Sequence, residues 1–363
     1  MSVGQTIVMG KGDMMKKARI VQIILVGVGN LGRRFAQIIT EKHDDLLERY
    51  ALDIRIVAAA DSRGAAIALD GLDGEAIASI KQEGKSVSEL PEVGHPGMTG
   101  RELINAVDAD ILCEASPVNL DTGAEPALSN IRLALRKGMH VSTPNKGPIV
   151  LAYRELMALA QEQGVQLRFD GTVAGGLPAI ALCARDLRGA TIQRLDTVPN
   201  LTTGFVLDRL AVGVKWDDAI EEARDAGALE GDGAWDIDGW DAAAKIAILA
   251  LSVLDVDVDL NDIPMKGIRN IDPAWLHQQS QNGLVRLLAS AIRRADGGYD
   301  FDVAPTTLPP EHPLGRLGSK QMGISIKTDL FGTITSVIEE ETPLPSAASM
   351  LRDLLDIHAA HHP

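Results

Sequence analysis

Apolar positions in the first part of the chain fall in short runs separated by longer stretches of helical period. Residues 20–26 form a β-branched run that ends at a glycine, the pattern of a strand buried on both faces of a parallel sheet. Residues 31–50 follow as a predicted helix carrying Phe35, Ile38, Ile39, Leu46 and Leu47. Residues 54–60, 109–114 and 139–142 read as further buried strands, and a helix at 131–137 leads into the last of them. Strands alternating with helices predict a parallel sheet with right-handed crossovers. Residues 62–98, rich in glycine and small side chains, read as an insertion of a helix and loops beside that sheet.

After Lys146 the pattern changes. Residues 152–164 predict a helix and 165–169 a strand, and Gly175 and Gly176 mark a tight turn or a close backbone approach. Residues 191–199, 268–271 and 299–304 read as strands of a second, α+β domain, and 241–254 as a strongly apolar helix. A final helix at 346–357 gathers Ala347, Met350, Leu351, Leu354 and Leu355 on one face, which must dock, with the first domain as its expected partner. The expected fold class is α/β: a Rossmann-like doubly wound parallel sheet joined to an α+β domain. The expected divisions are a tail at 1–18, a dinucleotide-binding domain at 19–150, a second domain at 151–330, and a returning segment at 331–363.

Composition narrows the partners. Lys and Arg number 35 against 50 Asp and Glu, a net charge of −15, which repels nucleic-acid backbones and anionic membrane. Aromatic residues at 3% argue against stacking platforms for single strands. Two cysteines, Cys113 and Cys183, each among apolar neighbours, form neither a disulfide framework nor a zinc site. No stretch reads as a secretion signal or a membrane span, so a cytoplasmic location is expected.

Three places carry chemistry. Residues 27–32 spell GVGNLG between a predicted strand and a predicted helix. Gly27 would allow the turn, Gly29 the approach of a pyrophosphate, and Gly32 close packing of helix on strand; Asn30 and Leu31 open the helix whose N–H groups would face the phosphates. Asp61 ends the next strand, where a carboxylate can hold ribose hydroxyls and repel a 2′-phosphate, which predicts NAD over NADP. Ser62 and Arg63 follow, and Arg63 could instead receive such a phosphate. The crevice beyond the strand ends would also take Ser116, Pro117 and Lys146. The third place is the segment 230–245, with an acidic cluster of Glu230, Asp232 and Asp236 before Asp241 and Lys245, which are four residues apart on one helix face. A solvated ion pair is the plain reading of that spacing. The apolar run 246–251 argues instead for burial, where a lysine must be paired or used. An acidic lining suits a substrate bearing an ammonium group.

With these residues in view, the sequence resembles the homoserine dehydrogenase family, in the short form without a C-terminal regulatory ACT domain. The carriers are GVGNLG (27–32), ADSRGA (60–65), EASPVNLDTG (114–123), STPNKGP (142–148), GTVAGGLP (171–178) and the segment 230–245. The resemblance implies interconversion of L-homoserine and L-aspartate 4-semialdehyde by hydride transfer to or from NAD or NADP, and a homodimer formed through the second domain. It makes Lys245 and Lys146 the catalytic lysines, with Asp241 supporting Lys245. Glu230, Asp236, Thr202 and Gly175 become substrate-binding, and a monovalent cation sits near Asp170, Val173 and Gly175. The chain departs from the family pattern in several places. Asp170 stands for a Glu, Leu201 for a Gly, Gly204 for an Asn and Ala228 for an aromatic, and Glu339, Glu340 and Glu341 replace a glycine-rich loop. A relative acting on another hydroxy amino acid, or a non-catalytic dinucleotide sensor on the same fold, are the alternatives.

Overall fold

The computed structural model describes residues 18–226, 228–229 and 233–359. The chain divides into two compact units: Thr172–Thr342, and the remainder, in which the chain up to Gly171 is completed by the segment from Pro343 onward. The helix Lys146–Glu162 therefore belongs to the first unit, and the division falls later than residue 150.

The first unit is built on seven strands: β1 (Arg19–Val26), β2 (Leu52–Asp61), β3 (Gly64–Ile67), β4 (Gly94–Pro96), β5 (Ile111–Glu114), β6 (His140–Ser142) and β7 (Leu167–Arg168). Their order is β4-β3-β2-β1-β5-β6-β7, parallel from β2 through to β7. The central strand β1 buries Ile23, Ile24 and Leu25 completely, which its apolar run requires. Strand order reverses between β1 and β5, and in such sheets the ligand crevice opens beyond the carboxyl ends at that point. The Rossmann-like sheet is thus as expected. The 62–98 insertion contributes more than a helix and loops: β3 and β4 pair antiparallel and extend the sheet edge. The expected single helix at 31–50 is two, Asn30–Glu41 and His43–Tyr50, broken at Lys42. Asp44 and Asp45 in the first turn of the second helix suit its N-terminal dipole.

The second unit carries an antiparallel sheet of β8 (Ile192–Val198), β9 (Leu284–Arg293), β10 (Tyr299–Leu308), β11 (Gln321–Thr328) and β12 (Thr333–Glu339), ordered β10-β9-β8-β11-β12. Helices Leu201–Ala211 and Trp240–Leu249 pack on β9. Leu314 and Leu317 pack on Val198, Leu288 and Leu308. Residues 268–271 are a turn rather than a strand: Ile268 is buried, but the backbone closes with Ile271 N–H donating to the Ile268 carbonyl.

The C-terminal helix Leu344–Ala359 places Ala347, Met350, Leu354 and Ile357 in the core of the first unit, with Phe35, Ile38 and Ile39. Its buried Asp353 accepts a hydrogen bond from Ser142 Oγ at 2.8 Å. Burial pushes the Asp353 carboxyl up to about 8, against the Ser142 bond and with the help of nearby Asp170; Arg352 and Arg168 pull the other way. Beside it, burial and the Asp353 charge raise the Cys113 thiol. Unfolded, an aspartate ionises near pH ~4, whereas this one keeps its proton to about pH 8. Between these values the unfolded chain binds fewer protons, so this group makes stability fall as pH rises. D353N keeps a partner for Ser142 and removes the titration. Thermal melts of D353N between pH 5 and 8, roughly the span separating the two values, should therefore show a shallower loss of Tm with rising pH than the wild-type chain. Parallel curves would contradict the assignment.

Candidate active site

Two glycines of the turn after β1, Gly27 and Gly32, leave no space for a side chain. Gly27 has φ +90°, and its N–H donates to the Ala60 carbonyl at 2.9 Å. A Cβ on Gly27 would stand 2.3 Å from the backbone of Ala115 and Ser116, and one on Gly32 would stand 1.9 Å from the Gly27 carbonyl oxygen. Gly29 differs: no atom lies within 4 Å of its Cβ position, and its φ of −82° suits any residue. Gly29 precedes Asn30 and Leu31 at the start of the helix and supplies no side-chain cap. An open Gly29 at an uncapped helix start fits an incoming pyrophosphate.

Asp61 lies at the end of β2, but its oxygens turn into the chain. They accept from Lys81 Nζ (2.7 Å), Ser86 Oγ (2.8 Å) and the N–H groups of Arg63 (2.9 Å) and Val87 (3.1 Å). The side chain is 7% exposed. Burial raises the Asp61 carboxyl, and the Lys81, Arg63, Ser86 and Val87 donors outweigh it and hold it below its usual range. Ser62 and Arg63 are exposed, with the Arg63 guanidinium donating to the Gly84 carbonyl.

The opposite wall comes from β5 and β6. Glu114, fully buried, accepts from Ser116 N–H (3.0 Å) and from Asn130 Nδ2 (2.9 Å), and its own carbonyl accepts from Thr143 Oγ1 (2.7 Å). Burial raises the Glu114 carboxyl despite those bonds. Asn145 caps the helix that begins at Lys146 by accepting from Gly147 N–H, and donates to the carbonyls of Ser116 (3.0 Å) and Pro117 (3.3 Å). Ser116, Pro117 and Lys146 are thus set by one network. Sequence reading missed Asn130, whose position on a remote helix gives no local signal, and the joining role of Asn145.

In the second unit, Lys245 lies in the buried helix Trp240–Leu249. Its Nζ is 2.7 Å from Asp241 Oδ2 and donates to the Pro199 carbonyl at 2.5 Å. The two side chains are 11% and 6% exposed, which rules out the solvated ion pair. Asn200 Nδ2 donates to Asp236 Oδ1 (2.6 Å) and Asp241 Oδ2 (2.8 Å), bringing both acids together. Thr202 Oγ1 donates to the Ala228 carbonyl at 2.6 Å. Glu230 and Asp232 lie outside the described residues. Asp238 pairs with Arg269. Val173 is buried, and Ala174 and Gly175 both have positive φ, which makes the turn at GTVAGGLP. In the first unit, Asp170 accepts from Arg352 Nη2 at 2.6 Å. Among the described residues no group of three or more His, Cys, Asp or Glu is placed to hold a metal ion.

The departures have local reasons. A Cβ at Gly204 would touch Arg286 Nε at 3.5 Å, so a larger side chain would displace the buried Arg286, which makes a two-pronged pair with Asp208. Glu341 pairs with Lys320, Glu339 accepts from Gln321, and buried Glu340 accepts from Gly176 N–H.

A β–α turn open at Gly29 and a buried lysine–carboxylate group define the class: a dinucleotide-dependent oxidoreductase. Comparison with known proteins agrees. The family profile described as homoserine dehydrogenase, NAD binding domain, matches residues 27–170, and the one described as homoserine dehydrogenase matches 178–355. A homoserine dehydrogenase of Methanocaldococcus jannaschii is 34% identical over 93% of this chain and 98% of its own length. An NAD(+)-dependent homoserine dehydrogenase of Pseudomonas canavaninivorans is 32% identical over 93% of this chain and 96% of its own. A hyperthermophilic archaeal homoserine dehydrogenase in complex with NADPH superposes with a TM-score of 0.81 at 29% identity, covering 94% of this chain and 98% of that one. The chain belongs to the homoserine dehydrogenase family, NAD(P)-dependent oxidoreductases of an amino acid. Among the described residues no helix is long and apolar enough to cross a membrane.

The glycines separate packing from binding. G29A should fold with a Tm near wild type and lose dinucleotide affinity, as read by calorimetric titration, since its Cβ enters open space. G32A should lose about 1–3 kcal/mol of stability or more, because its Cβ meets a carbonyl. Undiminished dinucleotide affinity in G29A would remove the pyrophosphate from this turn.

Proposed function

We propose that this chain oxidises the primary alcohol of L-homoserine to L-aspartate 4-semialdehyde, and runs the reverse, with Lys245 as the proton-transferring group. The supporting observation is the buried Lys245 amine, held by Asp241 and the Pro199 carbonyl beside a second carboxylate, Asp236. The bound dinucleotide supplies the hydride acceptor. As hydride leaves carbon, the hydroxyl proton passes to Lys245 Nζ, and in reverse Nζ returns it to the carbonyl oxygen. Asp241 holds the amine in place. Asp236, with Glu230, receives the substrate ammonium group, Thr202 and Gly175 border it, and Lys146 orients the reacting oxygen. With Asp241 engaged by Lys245, the half-buried Asp236 favours a substrate that brings its own cationic group, so substrates lacking the amino group are disfavoured.

A bound dinucleotide would meet its pyrophosphate partners at the turn Gly27, Gly29, Asn30, Leu31 and Gly32, with Gly29 giving the open approach and Gly27 and Gly32 setting the turn, and Ser116 and Pro117 would add to the same cofactor site. The choice between NAD and NADP, read from Asp61 in the sequence, rests in this proposal on exposed Ser62 and Arg63, because Asp61 already has four donors. A monovalent cation near Asp170, Val173 and Gly175 would take backbone carbonyls, since the Asp170 carboxylate is engaged by Arg352. A homodimer through the second unit would use the sheet face on which Asp302 and Thr335 are exposed at the two ends of a row whose middle members, Ser290, Asp196 and Ser325, are buried. The next row on that face carries exposed Arg194 and Lys327, with Arg194 paired to the buried Asp196, so Asp302 and Lys327 are the opposite charges it offers a second copy. Buried cysteines that form no disulfide, Cys113 and Cys183, suit a cytoplasmic setting.

Reduction of NAD or NADP, followed by the absorbance of the reduced nicotinamide, should appear with L-homoserine and collapse with 4-hydroxybutyrate. K245A should keep dinucleotide affinity and lose kcat by about 100-fold or more. K245R should not restore it, because a guanidinium does not give up its proton near neutral pH. Normal kcat in K245A would move the proton transfer elsewhere.

A further inference from the structure

We propose that Asn200, through its side-chain amide, is a positioning residue that sets the two carboxylates of the substrate site; the proposal rests on the homoserine reading above. Asn200 stands where β8 passes into the helix Leu201–Ala211, and its side chain is buried. Its Oδ1 accepts from Thr203 N–H at 2.9 Å, the N-cap of that helix. This bond fixes which end of the amide is oxygen, so both N–H bonds of Nδ2 point the other way. One reaches Asp236 Oδ1 at 2.6 Å and the other Asp241 Oδ2 at 2.8 Å.

Two carboxylates brought together, here Asp241 buried and Asp236 half-buried, repel unless donors lie between them. Asn200 supplies those donors without adding charge. Asp241 Oδ2 also meets Lys245 Nζ, so Lys245, Asp241, Asn200 and Asp236 form a continuous line of hydrogen bonds. The preceding residue completes the arrangement, since the Pro199 carbonyl accepts from Lys245 Nζ. A single dipeptide therefore holds the amine assigned to proton transfer and the acid assigned to the substrate ammonium. Asn200 touches neither substrate nor dinucleotide in this scheme; it acts through Asp236 and Asp241.

Helix capping and carboxylate bridging make opposite predictions for substitutions. Ser and Asp cap nearly as well as Asn, and Ala does not. Asp cannot donate, Ser is too short to span both acids, and Asp adds a third negative charge. If Asn200 only caps, activity should rank Asn, Asp and Ser together above Ala. If it positions the acids, the rank is Asn above Ser and Ala, with Asp lowest. We expect N200S to retain a Tm near wild type, to lose about 10-fold or more in kcat/KM for homoserine, and to keep its KM for the dinucleotide. N200D should lose more. Should N200D fail to fold, the comparison of N200S with N200A still decides, because a cap alone leaves N200S active. N200S within about twofold of wild type in kcat/KM would overturn the positioning role, being well inside the effect of a lost bond to a charged group. Wild-type turnover of homoserine is measured first; its absence overturns the activity reading and this proposal with it, whereas wild-type turnover with an undiminished N200S overturns the positioning role alone.

Discussion

Gly27 sits where three strand ends converge, in contact with the backbone of Ala115 at a distance that admits no side chain. Its N–H is bonded to the Ala60 carbonyl of β2, and the Ala115 N–H to the Val26 carbonyl of β1. The ends of β1, β2 and β5 are locked together by that contact. The helix starting at Asn30, the Asp61 corner and the Ser116–Pro117 wall all take their positions from it. Gly32 tightens the same knot from the helix side. The cofactor crevice is therefore a property of backbone packing, and its only roomy glycine is Gly29 among the three of the motif.

Each unit uses one buried asparagine in the same way. Asn145 and Asn200 each follow a strand, cap the helix that begins at the next residue, and donate from the amide to groups on other segments. For Asn145 the recipients are the carbonyls of Ser116 and Pro117; for Asn200 they are the carboxylates of Asp236 and Asp241. Aspartate, serine or threonine would serve the cap alone. Only an amide has an acceptor for the helix and a pair of donors left over. In both places the helix start and the neighbouring chemistry are thereby referred to a single rigid point.

Much of this was legible in the chain. The apolar runs of β1, β2, β5 and β6 announced the parallel sheet because strands buried on both faces need no alternation. Lys245 among apolar neighbours announced burial, and the geometry places Asp241 against it. The second sheet was harder. Strand β9 is rich in Leu and Ala and covered on both sides, so its period is hidden, and β12, whose alternation is clean, was overlooked. Ile268 gave the apolar signal of a strand while serving as a buried turn residue. Asp61 is the instructive case. Its position at a strand end was readable, but its orientation depends on Lys81, Ser86 and Val87, which arrive from an insertion more than a helix away. Sequence spacing carries no information about such partners.

The first unit is assembled from two separated stretches of chain, and four apolar residues of its core, Ala347, Met350, Leu354 and Ile357, lie near the very end. Order of synthesis and order of completion therefore differ. The second unit, contiguous from Thr172 to Thr342, has every residue it needs before the first unit does. Until the helix Leu344–Ala359 leaves the ribosome, the first unit has an uncovered patch around Phe35, Ile38 and Ile39. A chain cut before Leu344 would carry a complete second unit and an open first one, a form that exposes apolar surface to chaperones and proteases.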